Sequence, residues 1–326
     1  MTAQTLTLAG ADLDPDIARF IAITSEAYHQ HPPFEALSPA EIRAVAEAVR
    51  EPWVKGGPVM ARTEEHSVPT PYGEVRVRLH DPLLPSDTPK PVLIYVHGGG
   101  WMLFSINTHD RLMREYAARG GFVVIGVDYS HAPAARFPVA LNEVLATLHW
   151  VRDHAETLNI DANRIAIGGD SVGGNMSVAA ALSLRDQGQG DLLKGLVLNY
   201  GAFDDVCAPE DVKRYGGDGY MLTAEEMVMF WDNYLNSDAE RQNPLVVPMR
   251  GDMTGLPPAF FAVAQCDVLS RQSLKLAEKM TTAGVDTQTV IYAGASHSFL
   301  EAVSIAPLAE QALTDGAQWL FKILTL

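Results

Sequence analysis

Short apolar runs rich in β-branched residues recur along the chain, separated by stretches with helical spacing. Residues 91–96, 122–129, 193–200, 259–265 and 287–292 read as buried strands, and another begins at Ile165. Between them, residues 113–119, 137–157, 177–184 and 270–283 carry helical patterns, and a last helix closes the chain. Residues 66–80 instead alternate about a Pro-Tyr-Gly turn, the pattern of a hairpin. Near the start, Pro15 opens a helix over 16–23, and Ser38-Pro39-Ala40-Glu41 forms a capping box for a helix to about Arg50. Strands alternating with helices predict an α/β fold: a mostly parallel central sheet flanked by helices on both faces. Residues 204–250 break that rhythm with Gly216-Gly217-Asp218-Gly219 and a Met- and aromatic-rich segment, and read as an insertion. With the N-terminal segment, the insertion is expected to pack over the site.

Composition narrows the function. A 326-residue chain with 47% hydrophobic residues buries a large core. A formal net charge of −16 argues against nucleic acid as a partner, because phosphate binding needs clustered Lys and Arg. Cys207 and Cys266 give neither a disulfide framework nor metal-ligand spacing, so no metal is expected. Met1-Thr2-Ala3-Gln4-Thr5-Leu6 lacks the basic region and apolar core of a signal peptide, and no run approaches a membrane span. The expectation is a cytoplasmic protein.

Two glycine-bearing turns carry the chemistry. Gly169-Asp170-Ser171-Val172-Gly173 lies where a strand passes into a helix, the setting of a nucleophile elbow. Such a turn strains the serine backbone and needs small neighbours where strand and helix approach. The helix N-terminus beneath Ser171 favours developing negative charge. Earlier, His97-Gly98-Gly99-Gly100-Trp101 follows a buried strand and exposes backbone N–H groups.

In a parallel sheet, residues beyond the C-terminal strand ends converge on one edge. Ser171, Asp267 and His297 all stand at such positions, in the order nucleophile, acid, base. A serine hydroxyl needs a base to take its proton, His297 titrates in the right range, and Asp267 would orient the imidazole. The oxyanion donors are assigned to the N–H groups of Gly98, Gly99 and Val172. Other readings stay open. Asp267 could cap the following helix, Asp204 and Asp205 are rival acids, and Asp170 could orient loops. Trp101, Asp170 and His131 are the expected substrate contacts, with a plain loop histidine as the alternative for His131.

The chain resembles the hormone-sensitive-lipase-like family of bacterial esterases, a group also similar to arylacetamide deacetylase. The resemblance spans roughly residues 66–322. It rests on His97-Gly98-Gly99-Gly100-Trp101, Asp128-Tyr129 with Ala132-Pro133 and Phe137-Pro138, Gly169-Asp170-Ser171-Val172-Gly173-Gly174-Asn175, Cys266-Asp267-Val268-Leu269 and His297-Ser298-Phe299. It implies an α/β-hydrolase fold with a helical cap: residues 1–60 and 204–250 as cap, 61–203 and 251–326 as catalytic domain. It further implies cofactor-free hydrolysis of small-molecule carboxylic esters with short to medium acyl chains. His97, with Gly100, would support the glycine loop. A homodimer through a sheet edge occurs among relatives of this type, and the residues leave that assembly open. Departures are Val172 in place of alanine, expected to narrow the acyl pocket, Ser130-His131 for Arg-Leu, Ala134-Ala135 for Glu-His, and Ser298 for glycine. His97-Gly98-Gly99-Gly100-Trp101 also fits the pattern of arylformamidases, which leaves an amide hydrolase as the alternative. Plant gibberellin receptors resemble this fold as non-catalytic binders but lack the histidine present here as His297.

Overall fold

The computed structural model describes residues 12–83 and 88–325. Met1–Leu6, the stretch read for a signal peptide, lies outside the described residues. The first helix, α1 (Pro15–His29), is started by the Asp14 carboxylate, which accepts from the Asp16 and Ile17 N–H groups. The second, α2 (Pro39–Val54), has the expected capping box between Ser38 and Glu41. Both run past the lengths read from periodicity. They meet through Phe20 and Trp53, edge to face at 4.6 Å.

The expected hairpin is β1 (Arg62–Thr70) with β2 (Gly73–Asp81), paired from Arg62↔Asp81 to Thr70↔Gly73. The βα alternation then begins: β3 (Lys90–Val96), α3 (Asp110–Gly120), β4 (Val123–Asp128) and α4 (Val139–Asp153). The long helix expected over 137–157 is two pieces. The backbone leaves helical geometry at His154, and a single turn, α5 (Ala155–Leu158), ends on left-handed Asn159. Next come β5 (Ile160–Asp170), α6 (Val172–Asp186) and β6 (Leu193–Asn199). The insertion contributes α7 (Pro209–Tyr215), which periodicity did not reveal, and α8 (Ala224–Tyr234). The chain ends with β7 (Ala259–Cys266), α9 (Ser270–Thr282), β8 (Thr287–Ser296) and α10 (Pro307–Thr325).

The eight strands form one sheet in the order β1-β2-β4-β3-β5-β6-β7-β8. Only the pairs β1–β2 and β2–β4 are antiparallel. The period of two along β3 divides the core. Val92, Ile94 and Val96 enter one apolar layer with α4, α6 and α9, while Leu93 and Tyr95 enter the other with α1, α3 and α10. The fold is therefore an α/β-hydrolase fold, with a mostly parallel sheet covered on both faces. No helix among the described residues is long and apolar enough to cross a membrane.

Candidate active site

Ser171 joins β5 to α6 with φ 54 and ψ −119, a conformation L-residues rarely adopt and that costs about 1–3 kcal/mol. The surroundings hold it there. Its N–H donates to Asn199 O at 2.9 Å, and its carbonyl accepts from Ala202 at 3.1 Å. A Cβ on Gly173 would fall 1.9 Å from the Val96 carbonyl oxygen, so only glycine lets α6 approach β3 this closely.

β7 and β8 deliver the partners. Asp267 follows the last residue of β7, and His297 follows the last residue of β8. The strand read over 287–292 continues to Ser296, and that extension carries His297 to the edge where Ser171 stands. His297 Nδ1 lies 2.7 Å from Asp267 Oδ2, and Nε2 lies 3.0 Å from Ser171 Oγ. With Nδ1–H donating to the carboxylate, Nε2 accepts the serine O–H. Asp267 does not cap α9, whose N-cap is Leu269; its Oδ1 instead accepts from Leu269 N–H at 3.0 Å in the turn before that helix. Burial alone would lower the His297 pKa, but the Asp267 charge and hydrogen bond, helped by Asp170 and Glu301, raise it above the usual value. Asp204 and Asp205 are elsewhere engaged, Asp205 with Arg250 at 2.8 Å.

The glycine loop needs one correction. The Gly98 N–H, expected to face the oxyanion, instead donates to Asp170 Oδ1 at 3.1 Å. Gly99, at φ +108, turns the chain so that Met102 and Leu103 both donate to its carbonyl. The N–H groups of Gly99 and Gly100 have no hydrogen-bond partner among the described residues. Two side chains pin the loop from below. His97 Nδ1 donates to Gly98 O at 2.8 Å, and the Tyr129 hydroxyl reaches the His97 and Gly98 carbonyls. The His97 and Tyr129 rings are stacked at 4.2 Å. Burial, with the charges of His109 and His131, pushes the His97 pKa down to about 3, so it stays neutral.

Of the three expected substrate contacts, Asp170 and Trp101 are held by other protein groups and His131 lines a separate cleft. Asp170 is buried, and its carboxylate takes the Tyr95 hydroxyl at 2.8 Å, Gly98 N–H and His109 Nε2 at 3.4 Å. Its acceptors are committed to the protein. Burial pushes its pKa up, but His109 and the Tyr95 hydroxyl more than offset this and hold it below the ordinary value. Trp101 is fully buried and stacks on Tyr234 of α8 at 4.1 Å with ring planes 4° apart. It fastens the glycine loop to the insertion. His131 lines a cleft of about 460 Å³ with Arg43, Glu47, Phe104 and Tyr129, a space that none of Ser171, Asp267 and His297 lines. Burial and the Arg43 charge lower its pKa to about 4. Val172, expected beside an acyl pocket, is fully buried in the apolar layer that includes Met176. Sequence alone gives no role to Tyr95 and His109, because a tyrosine inside an apolar strand looks like core and His109 lies in no motif; Tyr129 belongs to the Asp128-Tyr129 motif, which does not show what its hydroxyl holds.

Among the described residues, no group of three or more His, Cys, Asp or Glu could hold a metal ion. Ser171, His297 and Asp267 thus stand in hydrogen-bonding sequence at the C-terminal edge of the sheet. Residues 93–301 match the model of a family with the alpha/beta hydrolase fold, and the chain belongs to that family, in its hormone-sensitive-lipase-like branch. Solved esterases are similar over nearly the whole chain. A hyperthermophilic esterase from the archaeon Pyrobaculum calidifontis is 29% identical over 97% of this chain and 100% of its own, with a TM-score of 0.90. A thermostable esterase from Pseudomonas putida is 30% identical over 98% of this chain and 99% of its own, with a TM-score of 0.89. A thermophilic carboxylesterase from a metagenomic library is 32% identical over 89% of this chain and 98% of its own, with a TM-score of 0.85. The protein is a carboxylic ester hydrolase.

Proposed function

We propose that Ser171 is the nucleophile of a two-step acyl transfer, with His297 as base and Asp267 as its orienting acid. The observation that carries this reading is the continuous chain from Ser171 Oγ to His297 Nε2 at 3.0 Å and from His297 Nδ1 to Asp267 Oδ2 at 2.7 Å. Ser171 Oγ attacks the ester carbonyl carbon while its proton passes to His297 Nε2. The oxyanion faces the N–H groups of Gly99, Gly100 and Val172. Collapse expels the alcohol oxygen, which takes the proton from the imidazolium and leaves an acyl-Ser171. Water, giving a proton to His297, then attacks the acyl carbon; collapse releases the carboxylic acid, and the imidazolium returns that proton to Ser171 Oγ.

The substrates proposed are small-molecule carboxylic esters with short to medium acyl chains. Residues 1–60 and 204–250 act as the cap over a catalytic body of 61–203 and 251–326. The tight cover supports that division: Ser171 and His297 are each only 6% exposed, and α8 presses Phe230 against Gly100.

The test is turnover on p-nitrophenyl esters of increasing acyl length, with Ser171→Ala alongside. A short-chain optimum that falls roughly five to six orders of magnitude in the folded variant is the expected result. Undiminished hydrolysis by that variant would remove Ser171 from the mechanism. Turnover of formanilides in place of esters would favour the amide-hydrolase alternative.

A further inference from the structure

Among the buried ion pairs that the mechanism leaves unused, one stands close in sequence to His297. Arg50, on α2, sets its Nε 2.8 Å from Glu301 Oε2, and the two side chains are only 3% and 4% exposed. Ion pairs this deep are unusual, because desolvation of both groups competes with their attraction. The surroundings of the pair suggest what it does. The Arg50 guanidinium lies over the rings of Phe104, at 4.9 Å, and Phe20, at 5.8 Å, and its Nη2 reaches Met221 Sδ at 3.6 Å. One side chain therefore ties together both helices of the N-terminal segment, the insertion and the loop that follows the glycines.

Glu301 occupies the first turn of a short 3-10 helix (Phe299–Ser304) that starts two residues after His297. Its N–H donates to Ser298 O at 3.0 Å, so its backbone is locked to the residue beside the base. The groups whose charges act with Glu301 are Arg50 from α2, Tyr28 from α1, His109 before α3, Tyr200 after β6 and His297 itself. Tyr200 in turn sets its ring edge-on to His297, with centroids 5.1 Å apart.

We infer that Arg50 is a positioning residue for ester hydrolysis: through Glu301 it holds the turn that carries His297, so docking of the N-terminal segment and the setting of the base are one event. This rests on the triad reading above. A base displaced by a fraction of an ångström from Ser171 loses rate without losing substrate affinity. Arg50 thus acts on kcat through a residue it does not touch. The Glu301 charge also favours the imidazolium, alongside Asp267 and Asp170.

Removal of one partner alone strands a buried charge and risks unfolding the chain, whereas replacement of both by apolar groups of similar volume is commonly neutral. The test is therefore the double variant R50M/E301L, with R50K as the milder companion, which keeps the charge and loses the planar guanidinium. Measured are the thermal melt, kcat and KM on a p-nitrophenyl ester, the acid limb of kcat/KM, and the rate at which a phosphonate labels Ser171. We expect R50M/E301L to melt as a folded protein with KM unchanged, kcat about 10- to 100-fold lower, and phosphonate labelling slowed in parallel. Its acid limb is little moved, because the Glu301 charge and the opposing Arg50 charge leave together. R50K falls between it and wild type. Wild-type kcat and labelling rate in both variants would overturn the positioning role while leaving the triad intact. A wild-type enzyme inert to both ester and phosphonate would instead overturn the triad reading and this inference with it.

Discussion

The Gly98 amide donates to the Asp170 carboxylate at 3.1 Å, which binds the glycine loop to the residue immediately before Ser171. The same carboxylate receives Tyr95 from within β3 and His109 from the start of α3. One buried acid therefore sets the distance between the elbow and the loop that faces it. Loop and nucleophile have to be spaced to within a fraction of an ångström if the Gly99 and Gly100 N–H groups are to meet an oxyanion formed at Ser171.

Asp170→Asn tests that role. The amide keeps the shape, but its NH2 end faces donors where a second acceptor stood, and the charge opposite His109 is lost. The expected cost is about 1–3 kcal/mol of stability, with kcat about 10- to 100-fold lower and KM little changed. Urea denaturation and steady-state kinetics on one ester separate the two effects. A large rise in KM alone would return Asp170 to substrate binding.

Much of this architecture was legible in the sequence, and the reasons for the misses are local. Strand runs and βα alternation gave the sheet, because a buried parallel strand leaves a continuous apolar signature. The elbow and the Ser, Asp, His order followed from where strands end. Gly98 was misassigned because glycine declares an exposed amide and says nothing of which acceptor lies opposite; Asp170 supplies that acceptor from 72 positions away. Trp101 was read as a substrate contact because its motif adjoins the site, yet Tyr234 and Trp231 of the insertion enclose it. Arg50 and Glu301 carried no signal, since a helical arginine and a glutamate are ordinarily solvated.

Ser298 stands where the family resemblance implies glycine, and its backbone suits glycine. It adopts φ 58 and ψ 14, the left-handed region, while bridging His297 to the 3-10 turn. An L-residue there costs about 1–2 kcal/mol, of which the greater freedom of unfolded glycine takes back about 0.5–1 kcal/mol. Ser298→Gly is therefore expected to raise stability by up to about 1 kcal/mol, seen as a slightly higher urea midpoint, with kcat unchanged. A clear loss of stability would mean that the serine side chain contributes more than its backbone costs.

His297 links activity and stability to pH in opposite senses. The His297 pKa is raised, with burial opposing and Asp267 prevailing. In the proposed role of base the imidazole has to be neutral, so kcat/KM is expected to rise as pH climbs through the folded pKa, which lies above the ordinary histidine value. For stability the imidazolium is the favoured form in the fold. Its contribution is fully present below the unfolded pKa and is lost as pH rises through the folded one. Over that window the enzyme is expected to gain turnover while its urea midpoint declines. Asp267→Asn removes the main cause of the shift, so the acid limb of kcat/KM moves to lower pH and the decline in stability flattens, at a large loss of kcat. Parallel profiles of kcat/KM and urea midpoint from pH 5 to 9 decide the matter. A wild-type acid limb below the ordinary histidine range would show that burial, and not Asp267, governs the base.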